Sequence, residues 1–533
     1  MSATIRNVAS GNEAAIATDV EPASRQISAG ADEKPLGHAS PRATHLSLGS
    51  SVHRRQSPGR SCPRVVRRAL PVLCAAMVLC APQAARAAWA PSGEMPIYFW
   101  CGPPTRMVTD STQANARVAE YKGAGANLLL PPCEPGVGMT AQWYGTQAQT
   151  DVAATRRVLD AAAANGIQVI VGDARIEKAL SGDLSGLAGV ISDYAGYPAL
   201  AGYYVRDEPS YPQLAGVGGV VQYLQSNDPG HYGFVNALPN YASSNDLGGK
   251  YDSYLDAFLT QTSVTALDYD NYREPTSYDN LVAARKAATA HNVPFRQAIH
   301  VGGDGSLPQP LTPQELLKPG MQMLAYGAQG VGNYFYWSDS SKNTATGSYA
   351  DHALIGYDGE RTSHYDWVSQ NNAQLQTIGK QLLNARNRYT FQTGSLDSPG
   401  MTRRPPGARV RISNTKSKLT VGVFDATDGS GHVYTLVTNR DDTSSVSTGV
   451  QLGYASALPE VLSSSGAWST VTPSSSGPGV ATIPVSLPAS GGILFRTDTP
   501  VPATAEAASA TCTIAGTVSA PGCPGFDAGW LGG

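Results

Sequence analysis

The sequence predicts an α/β protein, a (β/α)8 TIM barrel followed by a small antiparallel β-sandwich. Three observations support this fold. Apolar runs of strand type alternate eight times with helical segments between residues 97 and 383. The segments between them, such as 151–166, carry apolar residues at helical spacing and end in glycine. After residue 384 the pattern changes to short alternating runs broken by Gly, Ser, Asp and Asn.

Strands that alternate with helices form a parallel sheet, and eight such units match a barrel of about 250 residues. The eight predicted strands are 96–100, 127–132, 167–173, 201–208, 231–236, 263–272, 293–301 and 330–337. An open doubly wound sheet is the alternative. Its glycine-rich phosphate turn is missing after the first strand, where CGPPT stands instead. The six predicted sandwich strands are 409–414, 418–426, 432–441, 447–454, 479–487 and 491–497.

The N-terminal region predicts export to a secreted or periplasmic location. Arg64, Arg67 and Arg68 precede a short apolar run, and Ala85-Arg86-Ala87 fits a signal cleavage site. The apolar run is too short to span a bilayer comfortably. We therefore expect a signal peptide at 61–87, a barrel at 88–384, a sandwich at 385–499 and an Ala/Pro-rich tail at 500–533. Residues 1–60 are predicted to be a disordered extension, or to result from a translation start placed too early in the gene.

Four cysteines remain after cleavage: Cys101, Cys133, Cys512 and Cys523. An even number in an exported protein predicts two disulfides, Cys101 with Cys133 and Cys512 with Cys523; free buried thiols are the alternative. The formal net charge of -3 argues against a nucleic-acid partner. We expect no membrane partner once the signal is removed. No HxH, HExxH or CxxC pattern is present, so we expect no metal and no cofactor. The oligomeric state is left open.

Two adjacent acids, Asp207 and Glu208, end the fourth predicted strand. Catalytic groups of such barrels lie where the strands end, and a carboxylic acid there can protonate a leaving oxygen. Asp207 could raise the pKa of Glu208 by charge repulsion. The alternative is a helix cap, because acids directly before Pro209 suit a helix N-terminus.

Acids and phenols also end the sixth strand. Asp270 is a candidate nucleophile or base, although a polar turn explains the same residues. Nine residues are candidates for binding substrate, because aromatic faces and polar groups at a barrel rim suit sugars: Trp100, Asp173, Asn236, Tyr241, Asp268, Tyr269, Tyr272, His300 and Trp337. Asp304 is a further rim candidate.

The chain resembles secreted bacterial TIM-barrel glycoside hydrolases of a poorly characterised group. The likeness covers about residues 97–497 and is carried by Tyr-x-x-x-Asp-Glu-Pro at 203–209, Asn-x-x-Pro-x-Tyr at 236–241, Asp-x-Tyr at 270–272, the segment 325–337 and the VTNRD strand. It implies hydrolysis of a glycosidic bond in an oligo- or polysaccharide by carboxylate acid/base chemistry, with Glu208 as the acid.

Two better-known groups imply different partners for Glu208. Clan-A retaining glycosidases place a nucleophilic Glu after the seventh strand, and residues 293–305 contain none. Substrate-assisted hexosaminidases use an adjacent acid pair after the fourth strand, in which the Asp orients a 2-acetamido group that acts as nucleophile. Asp207 and Glu208 resemble that pair, with a tyrosine such as Tyr272 holding the acetamido oxygen, and Asp270 stays open as the alternative. A non-catalytic carbohydrate-binding protein on a degenerate barrel is the competing function.

Overall fold

The computed structural model describes residues 93–133, 151–272, 278–302, 312–338, 353–398, 400–477 and 479–498. The predicted N-terminal extension and signal peptide, the Cys512–Cys523 pair and Asp304 lie outside these residues. No helix within the described ranges is long and apolar enough to cross a bilayer.

The eight-stranded barrel is confirmed, and the open-sheet alternative is wrong. Each strand pairs in parallel with the next, and the eighth closes the barrel by pairing with the first. The strands are β1 (Ile97–Phe99), β2 (Leu128–Leu129), β3 (Gln168–Val171), β4 (Leu200–Asp207), β5 (Tyr232–Ala237), β6 (Leu267–Asp270), β7 (Phe295–His300) and β8 (Val331–Tyr334).

Helices alternate with these strands and cover the outside of the barrel. In the described residues they are α1 (Ser111–Gly123), α2 (Val152–Asn165), α3 (Ala174–Leu180), α4 (Leu187–Tyr194), α5 (Leu214–Asn227), α6 (Tyr251–Thr262), α7 (Asp279–His291), α8 (Pro313–Ala325) and α9 (Ser363–Leu382). Several helix ends lie at residues that the sequence marks as caps. Asp151 caps the start of α2 through the Ala154 N–H, and Gly166 ends it with a φ of 65°.

The barrel interior is filled with polar and aromatic side chains in layers. Near its N-terminal end, the Arg296 guanidinium donates to Asp268 at 2.8 Å, and the Tyr98 hydroxyl donates to the same carboxylate at 3.0 Å. Above this ion pair the rings of Trp100, Tyr204 and Phe234 pack against one another, with centroids 5.5 to 6.2 Å apart. These layers close the barrel from below, so its C-terminal end is the face that can admit a ligand.

The C-terminal residues form two antiparallel sheets, as predicted. The six-stranded sheet has the order β15-β14-β18-β12-β11-β9 and the four-stranded sheet the order β10-β13-β17-β16. Their strands are β9 (Ala385–Gln392), β10 (Arg411–Ile412), β11 (Leu419–Ala426), β12 (His432–Asn439), β13 (Val446–Gly453), β14 (Glu460–Leu462), β15 (Trp468–Thr470), β16 (Ser475–Gly477), β17 (Val480–Leu487) and β18 (Gly492–Asp498). Strands β9, β14, β15 and β16 were not among the predicted strands.

The central strands β11 and β12 of the six-stranded sheet are buried on both faces. Val421 and Val437 belong to the core between the two sheets, whereas Phe424 and Leu436 belong to the core shared with the barrel helices. The carbonyl of Ala325, at the end of α8, accepts a hydrogen bond from the Thr390 hydroxyl at 2.8 Å. The sandwich is therefore joined to the barrel by packing and by buried hydrogen bonds.

We expect Gly422→Ala to destabilise the protein by about 1 to 3 kcal/mol, the usual range for overpacking. A Cβ at this position of β11 would lie 2.1 Å from the Ala325 carbonyl oxygen, so sheet and helix would have to move apart. Gly477→Ala is the matched control, because a Cβ there meets nothing within 4 Å. Thermal unfolding of both variants measures the effect. Equal melting temperatures would show that this contact does not hold the sandwich to the barrel.

The predicted disulfide between Cys101 and Cys133 is present, with Cα atoms 4.6 Å apart and 32 residues of separation. It joins the segments that follow β1 and β2, as expected from neighbouring parallel strands. A disulfide that closes a loop of this length stabilises the folded protein by roughly 3 to 4 kcal/mol, because it lowers the entropy of the unfolded chain.

Candidate active site

Three carboxyl groups meet at the C-terminal end of the barrel. One is on the last residue of β4, one on the residue that follows β4, and one on the last residue of β6. They belong to Asp207, Glu208 and Asp270. The carboxyls of Glu208 and Asp270 are in hydrogen-bonding contact. The Asn236 side-chain amide, at the end of β5, donates to Asp207 at 3.0 Å and to Asp270 at 3.2 Å. The two acid constellations that the sequence suggested therefore form one cluster.

A β-bulge in β4 decides which side chains reach this cluster. The register between β4 and β5 shifts between Tyr204 and Arg206. As a result Tyr204 packs in the barrel interior and Asp207, three residues later, also lies inside, which strict alternation would not allow. Glu208 then adopts a φ of 42°, in the left-handed region that non-glycine residues rarely enter. Such strain is typical of functional sites.

Burial and mutual repulsion keep protons on the cluster. Burial, followed by the charge of Glu208, raises the pKa of Asp207 to about 8, although the hydrogen bond from Asn236 opposes the shift. Burial and the charges of Glu208 and Asp207 raise the pKa of Asp270 well above its usual value. Burial also raises the pKa of Glu208, with a further contribution from Asp246 and an opposing hydrogen bond from Asp270. At neutral pH the three groups therefore hold at least one proton among them.

Glu208 is the accessible member of the cluster. Asp207 and Asp270 are only 4% and 3% exposed, whereas Glu208 is half-buried. The helix-cap interpretation of these acids is wrong, because Ser210 is the N-cap of the 3-10 turn Tyr211–Gln213. The Ser210 N–H instead donates to the Gln213 side chain at 2.9 Å. A group that must hand a proton to a ligand has to be reachable, and Glu208 is.

An aromatic wall lies beside the carboxyls at the barrel mouth, with Tyr272 close enough to interact with all three acids. The rings of Tyr272 and Tyr334 stack with centroids 5.0 Å apart, and His300 lies 6.4 Å from Tyr272. Tyr241 joins the wall because its hydroxyl accepts a hydrogen bond from the Tyr272 N–H at 3.2 Å. Aromatic faces beside carboxyl groups form the mixed apolar and polar surface that a sugar ring requires.

Four of the predicted substrate-binding residues lie elsewhere. Asp173 caps α3, and its two carboxylate oxygens accept hydrogen bonds from Arg175 and Tyr194. Burial raises the pKa of Asp173, but these hydrogen bonds outweigh burial and lower the pKa overall. Asp268 lies below the site in its ion pair with Arg296. Tyr269 points out of the barrel and donates to Gln297 at 2.8 Å. Trp337 packs in the outer core beneath Arg117.

Trp100 lies between these groups, in the aromatic layer below the acids. Its indole nitrogen and the Tyr204 hydroxyl have no hydrogen-bond partner among the described residues. Sequence reasoning missed Tyr204 and Tyr334. The bulge brings Tyr204 inward, and only the barrel register shows which face of the run 330–337 points into the mouth. No group of three or more His, Cys, Asp or Glu side chains in the described residues is arranged to hold a metal ion.

Comparison with known proteins adds only general likenesses. No family model and no curated protein matches the chain. Among solved structures, a γ-CGTase from alkalophilic Bacillus clarkii is 11% identical over 76% of this chain and 70% of its own, with a TM-score of 0.41. A glucosidase from Croceicoccus marinus is 11% identical over 76% and 97%, with a TM-score of 0.39. Xylanase 10B from Thermotoga maritima is 11% identical over 54% and 96%, with a TM-score of 0.37. These values assign no activity to this chain.

Proposed function

We propose that this protein is a glycoside hydrolase in which Glu208 is the general acid. The observation that carries the proposal is the carboxyl cluster itself. Three acids of raised pKa meet at the C-terminal face of a barrel, beside an aromatic wall, and the most exposed of them is Glu208. Cleavage of a glycosidic bond needs a proton on a poor leaving oxygen at neutral pH, and a carboxyl of raised pKa supplies it.

The contact between Glu208 and Asp270 bears on the second catalytic group. Paired carboxyls that work from opposite sides of a sugar are about 5 to 5.5 Å apart in retaining enzymes and about 6.5 to 9.5 Å apart in inverting ones. Carboxyls in direct hydrogen-bonding contact are closer than either. We therefore propose that Asp270 shares a proton with Glu208 and is not the nucleophile.

The nucleophile in this proposal comes from the substrate. Asp207 accepts the N–H of a 2-acetamido group, and the Tyr272 hydroxyl donates to its carbonyl oxygen. That oxygen attacks the anomeric carbon as the bond to the leaving oxygen breaks, and Glu208 gives the leaving oxygen its proton. Water, deprotonated by the Glu208 carboxylate, then adds to the anomeric carbon and opens the ring so formed. Protons and bonds balance over the two steps without a cofactor.

A carbohydrate-binding protein without turnover is the second candidate. It is favoured by one feature, the absence of a glutamate in β7, which ends at His300, and in the residues up to 305. The intact carboxyl cluster favours the enzyme, because a binding protein gains nothing from buried acids that hold protons at a cost in stability.

Sugar release by the purified protein tests the function directly. The substrates are aryl glycosides with and without a 2-acetamido group, together with plant, bacterial and fungal polysaccharides, and the Glu208→Gln protein is assayed in parallel. We expect release from 2-acetamido glycosides by the wild type and far less by the variant. Binding of a polysaccharide without release of sugar from any substrate would support the second candidate and contradict the first.

We also propose that the protein is exported. Its mature N-terminus should lie at or near Ala88, because a basic, apolar and small-residue order ends at Ala87. N-terminal sequencing of the protein recovered from culture medium or periplasm measures this. A protein that keeps Met1 and stays in the cytoplasm would contradict the proposal.

A further inference from the structure

One residue touches all three acids of the candidate site. The Asn236 side chain is 1% exposed, and its Nδ2 atom donates to Asp207 and to Asp270. Its backbone carbonyl accepts the Glu208 N–H at 2.9 Å. We propose that Asn236 is a positioning residue that joins the three carboxyl groups into one acid–base unit and does not itself bind substrate. This inference rests on the proposed function only for its effect on turnover.

The side chain at this position has to be an amide. A primary amide carries two N–H hydrogens on one nitrogen, so it can give one to each of two carboxylates without adding charge. An aspartate of the same shape would offer no hydrogen when ionised and would place a fourth acid against the other three. The Asn236 Oδ1 atom accepts no hydrogen bond from the described residues. Its amide is therefore oriented by the carboxylates alone.

The backbone contact explains how Glu208 keeps its unusual conformation. Glu208 follows the last residue of β4 and has a φ of 42°, which the chain adopts only when neighbouring contacts hold it. The hydrogen bond to the Asn236 carbonyl continues the β4–β5 ladder by one residue past Asp207, which pairs with Asn236. Strand β5 thus fixes both the peptide that carries Glu208 and the two acids that surround it.

The direction of the expected pH effect follows from these bonds. Hydrogen bonds from Nδ2 favour the ionised form of Asp207, so their loss raises its pKa further. Other titratable groups among the described residues that act on the three carboxyls include Arg206, Asp246, Tyr204, Tyr251, Tyr254 and Tyr272. None of them is altered by a change at Asn236 alone.

The test compares Asn236→Ala with Asn333→Ala. Asn333 is equally buried, at 1% exposure, and lies on β8, where its amide donates to the Tyr98 carbonyl and to none of the acids. We expect Asn236→Ala to lower kcat by about 100-fold, the usual cost of misplaced catalytic groups, with a much smaller change in KM. Its pH–rate profile should shift to higher pH. Asn333→Ala should keep the wild-type profile, and Asn236→Asp should lose more activity than Asn236→Ala.

A second measurement does not depend on turnover. The melting temperature of wild type, Asn236→Ala and Asn333→Ala is followed from pH 4 to pH 9. Acids of raised pKa make stability fall as pH rises, so the fall should continue to higher pH in Asn236→Ala and keep its wild-type position in Asn333→Ala. If the wild type released no sugar, the proposed function would fail and this measurement would still decide the inference. Superimposable pH curves for wild type and Asn236→Ala would overturn it.

Discussion

Glu208→Gln should lower kcat on an unactivated glycoside by about 100- to 10,000-fold, with little change in KM. Glutamine keeps the shape of the side chain and most of its hydrogen bonds but has no proton to give. The loss falls on kcat because the proton moves only in the transition state. An aryl glycoside with an acidic leaving group needs less protonation, so the same variant should retain far more of its activity on it.

Steady-state kinetics on one unactivated and one activated 2-acetamido glycoside measure this difference. Glu460→Gln is the control, because it removes the partner of Arg496 in the sandwich and leaves the carboxyl cluster intact. A Glu208→Gln protein with near-wild-type kcat on the unactivated substrate would remove Glu208 from the role of general acid. Equal losses on both substrates would indicate a role in binding rather than in proton transfer.

Asp207→Asn should make the protein more stable at neutral pH while it abolishes turnover of unactivated substrates. The pKa of Asp207 is raised to about 8, from an unfolded value near 3.9. Between these values the folded chain holds a proton that the unfolded chain releases, so stability falls as pH rises, by about 1.4 kcal/mol per pH unit. At pH 7 this amounts to on the order of 4 kcal/mol, which the neutral asparagine does not lose.

The gain should shrink to a small fraction near pH 4, where the folded-state carboxyl is protonated and the unfolded-state carboxyl is about half protonated. Asp173→Asn is the matched control with the opposite sign, since hydrogen bonds from Arg175 and Tyr194 lower the pKa of this equally buried acid. Loss of the Asp173 carboxylate should destabilise the protein above pH 4. Melting temperatures of both variants from pH 4 to pH 8 measure the effects. An Asp207→Asn protein less stable than wild type at pH 7 would contradict the raised pKa.

The order of strands in the chain follows from hydrophobic pattern alone. All eight barrel strands lie within the predicted runs, except that the first residue of β4 and the last residue of β5 fall one position outside. Strands buried on both faces read as continuous apolar runs, and the helices between them show their own spacing and caps. The short strands β14, β15 and β16 lack this signal because none of their residues is buried.

The position of the acid pair was also predictable, because Asp207 and Glu208 end a strand of a parallel barrel. Their neighbours were only partly predictable. Alternation along β6 sends Asp268 and Asp270 inward and Tyr269 outward, but nothing in the run 267–272 indicates that Asp268 lies a layer lower, against Arg296. Arg296 comes from β7, so its contact with Asp268 depends on the register between two strands.

Local sequence pattern was sufficient to predict the eight barrel strands, the helices between them, the disulfide between Cys101 and Cys133 and the end of the barrel where the acids lie. These depend on local pattern and on the rule that parallel strands end on one face. That Asp207, Glu208 and Asp270 form one cluster around Asn236 follows only from the folded chain. That outcome depends on the bulge in β4 and on the registers of β4, β5 and β6, which are set by packing between residues distant in the chain.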